Sequence, residues 1–133
     1  MRRAGELGEG DGMRLFDFSE PVGRGAAVLD DAVHGWHDLV DLDALDLRCG
    51  HSCVLGQLGA RRFGLTEEPY AQTVALLHLE LQTVRLGFNL AVPRPFAWSA
   101  LRRAWVQEVT RRRAHGAPAR QADYELVAGA TSG

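Results

Sequence analysis

Residues 66–87, TEEPYAQTVALLHLELQTVRLG, carry the clearest secondary-structure signal in the chain and decide its class. Thr66 stands as an N-cap, Glu67 and Glu68 suit the positive end of a helix dipole, and Pro69 falls in the first turn. Tyr70, Val74, Leu77, Leu81 and Val84 then recur at i, i+3/i+4 spacing, with Leu76 beside them. This pattern predicts an amphipathic helix running to Leu86, with Gly87 as a left-handed stop.

The same period appears on both sides of this segment. Upstream, Cys53, Val54, Leu55, Leu58 and Phe63 predict a shorter helix, with Ser52 as its cap. Gly56 and Gly59 lie inside it, and each costs ~1 kcal/mol against Ala in a helix interior. Close packing against a neighbouring backbone is the expected reason. Downstream, Pro93 and Pro95 interrupt the chain, and a last helix over 97–114 places Trp98, Leu101, Trp105 and Val109 on one face. A further helix is expected over 25–40, where Val28, Leu29, Ala32, Val33 and Trp36 follow helical spacing. Pro21 and Gly23 read as punctuation before it. Gly35 either ends this helix early or admits another backbone.

Together these segments predict a mainly α domain of about four helices over 13–115. Its expected core is Trp36, Leu45, Leu55, Leu58, Leu77, Leu81, Leu101 and Trp105. The rival is an α+β fold. Residues 13–18 include Leu15-Phe16-Asp17-Phe18, read as an arm or short strand, and 41–47 alternate polar and apolar. Asp is a poor strand former, so 41–47 reads equally as a turn. Residues 1–12 contain four Gly and no apolar period, and are expected to be a disordered leader, with Met13 as an alternative start to Met1. Residues 116–133 are expected to be a loose tail around a small Tyr124-Leu126-Val127 cluster.

The 133 residues suit one domain, and 46% hydrophobic with 24% charged residues is ordinary for a globular chain. No apolar run is long enough to cross a membrane, and no signal-peptide pattern opens the chain, so a cytoplasmic protein is expected. All fifteen basic residues are Arg, a usage that fits a GC-rich coding sequence. Residues 1–60 hold eleven acids against five Arg, and 61–133 hold ten Arg against six acids. The net charge is −2, and in one fold the two halves can simply neutralise each other.

The stretch 29–58 resembles a group of small actinobacterial and actinophage proteins. The shared pattern is carried by Leu29-Asp30, Gly35-Trp36, Asp41-Leu42-Asp43-Ala44-Leu45-Asp46-Leu47 and Cys53-Val54-Leu55-Gly56-Gln57-Leu58. Weaker echoes follow at Gly87-Phe88 and in Leu101, Trp105, Glu108 and Arg112. His34 stands where the group usually has Pro. The resemblance implies a single domain of phage or bacterial origin and brings no activity with it.

Few chemical motifs are present. Cys49, His51 and Cys53, with His37 and His34 upstream, offer thiolate and imidazole ligands of the kind zinc takes, but the spacing is not that of the common zinc sites. Cys53 is read more simply as a buried small residue. A Cys nucleophile would need an oriented base, and no catalytic motif flanks either Cys. Asp41, Asp43 and Asp46 lack the glycine and glutamate of an EF-hand loop, and no P-loop, dinucleotide fingerprint or G-x-S-x-G elbow occurs. No enzyme activity and no cofactor are expected.

The remaining candidate is the last helix, whose Arg102, Arg103, Arg111, Arg112 and Arg113 form a candidate binding surface for phosphate or an acidic protein. The dipole alone also favours Arg at a helix C-terminus. The leading expectation is a small non-enzymatic interaction or regulatory protein, phage- or prophage-borne, that binds a host protein. The alternative is a nucleic-acid-binding module using those arginines, although such domains usually have a pI above about 9 and this chain has 6.2. Trp36→Ala is expected to cost ~3–5 kcal/mol and Gly56→Leu ~1–3 kcal/mol. Arg111→Ala and Arg112→Ala are expected to stay within ~0.5 kcal/mol.

Overall fold

The computed structural model describes residues 17–115. The readings of 1–12 as a leader, of Leu15-Phe16 as an arm and of 116–133 as a tail fall outside those residues. The described chain is helical: α1 is Ser19–Ala32, α2 Trp36–Leu39, α3 Val54–Phe63, α4 Pro69–Leu76 and α5 Pro95–His115. There is no strand among the described residues, and 41–47 is a series of turns. The α+β rival is thereby excluded for that stretch.

Several helix boundaries differ from the sequence reading. The first helix begins at Ser19 and ends at Ala32, not over 25–40. Pro21 does not block it, because the third position of a helix has no intrahelical partner for its backbone N–H. Val33, extended at φ −135°, ends the helix, and Gly35, at φ 72°, leads into the single turn of α2. In α3 the cap is Cys53 rather than Ser52, and its Sγ accepts the Gly56 N–H at 3.3 Å. In α4 Thr66 is not the cap. Glu68 precedes the helix with φ 46°, and Pro69 opens it, where a fixed φ and a missing donor are harmless.

The largest departure is at the end of α4, which stops at Leu76 instead of Leu86. His78 adopts φ 59° and breaks the helix. The reason lies in which leucines reach the core. In a continuous helix, at about 100° per residue, Leu79 and Leu86 would face away from the Val74–Leu81 stripe. The left-handed turn at His78 lets both bury, at 3% and 2% exposure, and leaves Leu81 98% exposed. Leu81 is therefore removed from the expected core, and Leu77 is only half-buried.

The rest of the expected core stands. Trp36, Leu45, Leu55, Leu58, Leu101 and Trp105 are all buried. α3 packs chiefly on α4, α1 on α5, and α2 touches both α3 and α5. Trp105 lies at the centre, stacked on Phe88 at 5.3 Å and edge-on to Trp36 at 5.9 Å. Its indole N–H donates to the Gly87 carbonyl.

Gly56 and Gly59 are contact points, as their place in a helix suggested. A Cβ at Gly56 would lie 2.0 Å from the Gly50 carbonyl oxygen, and one at Gly59 would lie 2.2 Å from the Thr73 hydroxyl. An exposed helical Gly→Ala exchange usually stabilises by ~0.4–1 kcal/mol. Gly56→Ala should do the opposite, because its obstacle is backbone that cannot turn aside. A loss of ~1–3 kcal/mol in chemical denaturation is expected, and a stabilised variant would show that the 49–52 turn does not sit where it is placed.

Candidate functional site

The arginines of α5 were the sequence's candidate binding surface, and most of them point inward to partners within the fold. Arg102 donates from Nε to the Leu45 carbonyl at 2.9 Å and from Nη2 to the Leu42 carbonyl at 2.8 Å. Arg113 donates from Nε to the His37 carbonyl at 2.9 Å and from Nη2 to that of Val40. Arg61 of α3 takes the Leu39 carbonyl. The segment 37–45 is the end of the single-turn helix α2 followed by turns, so its backbone acceptors lack intrahelical partners and need side-chain donors. The rigid planar guanidinium fork presents separate, spread donors to two carbonyls at once, where a Lys offers only one compact ammonium.

Gln57 completes this arrangement from the other side. Buried in α3, it accepts the Asp41 N–H at 2.6 Å and donates to the Asp41 and Ser52 carbonyls. The Asp41 carboxylate accepts the N–H groups of Asp43 and Ala44, and that of Asp46 accepts the Arg48 N–H. These aspartates are turn formers, the role their spacing allowed once the EF-hand pattern failed.

Arg112 corrects the expectation of a neutral surface substitution. It is buried, with Nε and Nη2 forming a fork on Asp30 at 3.1 and 2.8 Å. Its Nη1 pairs with Glu108, which also binds Arg111. The Trp36 N–H donates to the same Asp30 at 2.8 Å, and the Arg112 guanidinium lies 5.9 Å from the Trp36 ring. Of the five arginines, only Arg103 makes no side-chain hydrogen bond or ion pair among the described residues.

The metal candidates are not assembled into a site. Among the described residues no group of three or more His, Cys, Asp or Glu side chains is placed to hold a metal ion. His34 and His51 are exposed, while His37 packs edge-on against Trp36. Cys49 and Cys53 are both free thiols of opposite character. The Ser52 hydroxyl, with the His51 and Ser52 backbone, lowers the pKa of Cys49. Burial pushes the Cys53 thiol up to about 11.

This contrast predicts that a thiol reagent at neutral pH modifies Cys49 in the folded protein and Cys53 only after unfolding. The sign of the pH effect follows for Cys53. Between the ordinary thiol value of 9.0 and about 11, the unfolded chain loses the proton and the folded chain keeps it. Its effect on stability is nil below about pH 9, and stability then declines as the pH rises toward 11. A denaturation midpoint rising over that interval would contradict the burial of Cys53.

Two hollows differ in chemistry. One, of about 540 Å³, is polar and lies between the 43–48 turns and α5, bounded by Asp46, Arg48, Trp98 and Arg102. Three of its four charged residues are already engaged, Asp46 with Arg48 and Arg102 with the two carbonyls, Asp43 being the fourth. The other, of about 490 Å³, is an apolar groove where the start of α1, the 84–94 segment and the start of α5 meet. Phe18, Pro21, Val84, Leu90, Val92 and Ala97 line it, and Arg94 is its only charged residue among the described residues. Val92 is 59% exposed, and the nearby Phe96 in α5 is 77% exposed. Sequence reasoning did not find this groove.

No family model matches the chain, and neither the curated proteins nor the solved structures give a match. No helix among the described residues is long and apolar enough to cross a membrane.

Proposed function

We propose that the protein is a small non-enzymatic binding module, acting in the cytoplasm, that docks a partner protein in the apolar groove between α1, the 84–94 segment and α5. The observation that carries this reading is the exposure of the apolar Val84 and Val92 side chains in the walls of one concavity, with exposed Phe96 next in sequence to its wall residue Ala97. Large exposed apolar side chains gathered around a concavity mark interaction surfaces more often than scattered single ones do. The two free thiols fit a reducing compartment. The resemblance to actinophage proteins supports a phage- or prophage-borne regulator whose partner is a host protein.

Nucleic-acid binding is the less favoured alternative. Phosphate contacts need free cations, and Arg102, Arg111, Arg112 and Arg113 already have partners within the fold. The test is capture from an actinobacterial lysate with the full chain and with its Val84→Asp/Val92→Asp variant. A protein retained by the first and lost by the second supports the reading. Equal retention by both chains would refute the groove. Recovery of nucleic acid alone, weakening steeply with salt, would favour the alternative.

A further inference from the structure

We infer that the groove takes an apolar partner segment bearing a carboxylate, an Asp or Glu side chain that meets Arg94 at the groove's edge; this rests on the groove being the docking surface. Charge complementarity selects this occupant. Among the described residues no acid lines the groove, and Arg94 is exposed with no side-chain hydrogen bond or ion pair. The same holds for Arg85, next in sequence to the wall residue Val84. The acids beside the groove's α1 walls are already engaged. Asp17, before Phe18, accepts the Ser19 N–H at 3.0 Å, and Glu20, before Pro21, pairs with Arg24 at 3.3 Å. No acid stands in the first turn of α5, so nothing there offsets the positive end of its dipole. The free charge left around the groove is positive.

Arg94 is also held in place. Pro93 and Pro95 flank it and restrict the backbone on both sides. Its carbonyl accepts the Trp98 N–H at 3.0 Å, in the opening turn of α5. The guanidinium therefore hangs from an ordered point, and little backbone freedom is lost when a carboxylate binds it. Its fork of donors matches the two oxygens of a carboxylate. The hollow's size, about 490 Å³, lies within the ~300–1,000 Å³ of ordinary ligand sites. It suits a few anchoring side chains of a short segment, not a broad flat face.

A second copy of this chain fits less well. A two-fold contact of groove on groove brings the same patch of both subunits together, and with it two Arg94 side chains. Like charges at one interface disfavour association. Nucleic acid also fits less well, because its affinity comes from many phosphate contacts and the groove offers a single Arg among apolar walls.

The test presents the full chain to a displayed library of random short peptides. Groove binders are those that the wild type retains and the Val84→Asp/Val92→Asp variant loses. Asp or Glu should be enriched beside apolar residues among them. Synthesised singly, such a peptide should bind Arg94→Glu roughly tenfold or more weakly. Selection on Arg94→Glu should bring up Lys or Arg in place of the acids. The thermal melt of Arg94→Glu should match the wild type, because Arg94 is exposed and bonds to no side chain among the described residues. Groove binders without acid enrichment, or with affinity unchanged by Arg94→Glu, would overturn the inference and leave the groove a docking surface. A library that yields no groove binder would overturn it too, with lysate capture deciding the groove separately. A dimer in sedimentation that Val84→Asp/Val92→Asp abolishes would overturn it in favour of a second copy.

Discussion

Arg112→Ala is expected to destabilise the fold by ~3–5 kcal/mol, the cost of breaking a buried ion pair by removing one partner. The side chains of Arg112, Asp30 and Glu108 are all nearly inaccessible to solvent. Without the guanidinium, Asp30 keeps the Trp36 N–H and Glu108 keeps Arg111. Neither carboxylate regains water. For a domain near 100 residues, that loss lowers the melting temperature by roughly 12–40 °C. Adding Asp30→Asn should return part of it, since the uncompensated charge is then gone. Arg103→Ala, with no partner to abandon, should melt within a degree or two of wild type. If Arg112→Ala behaves like Arg103→Ala, the Asp30–Arg112 pair is not buried in solution.

The contrast between those two arginines shows what a sequence can and cannot reveal. Arg103 and Arg112 look alike in a basic helix, and charge composition assigns both to the surface. What separates them is Asp30, which lies 82 residues away in the chain. Helical geometry supplied a hint, because Arg112 falls within the arc of the apolar stripe. That position was open to a second reading, a buried pair, only if an acid on the facing helix was considered. Gln57 carried a similar signal as an amide among the apolar residues 54–58 of α3.

Glycine was more informative than charge. Gly56 and Gly59 weaken a helix, and nothing local explains them, so a long-range contact was the natural inference. The structure supplies it in Gly50 and Thr73. Periodicity misled at Leu81 for the opposite reason. The 66–87 pattern satisfies every local criterion for a helix, yet burial of Leu79 and Leu86 outweighs continuation past Leu76. Tertiary packing contributes more to helix stability than propensity does, and a stripe cannot report on residues outside it. The groove was invisible for a related reason: its walls come from residues 18–21, 84–94 and 97, which meet only in the fold.

Trp36→Ala should cost about as much as Arg112→Ala, and the two effects should not add. Trp36 has no exposed surface, and truncating a buried Trp costs ~3–5 kcal/mol through lost burial and an unfilled cavity. Its ring touches Trp105, its N–H holds Asp30, and Arg112 lies over its face. Trp36→Phe separates these contributions. It keeps most of the ring and removes the donor, leaving Asp30 one hydrogen bond short, for an expected ~1–3 kcal/mol. Because Trp36 and Arg112 share Asp30, a double-mutant cycle between Trp36→Phe and Arg112→Ala should give a coupling of ~0.5–3 kcal/mol. The same cycle between Trp36→Phe and Arg103→Ala should give none. Additivity in both cycles would mean that Asp30 does not join α1, α2 and α5, and that ring packing alone holds this end of the core together.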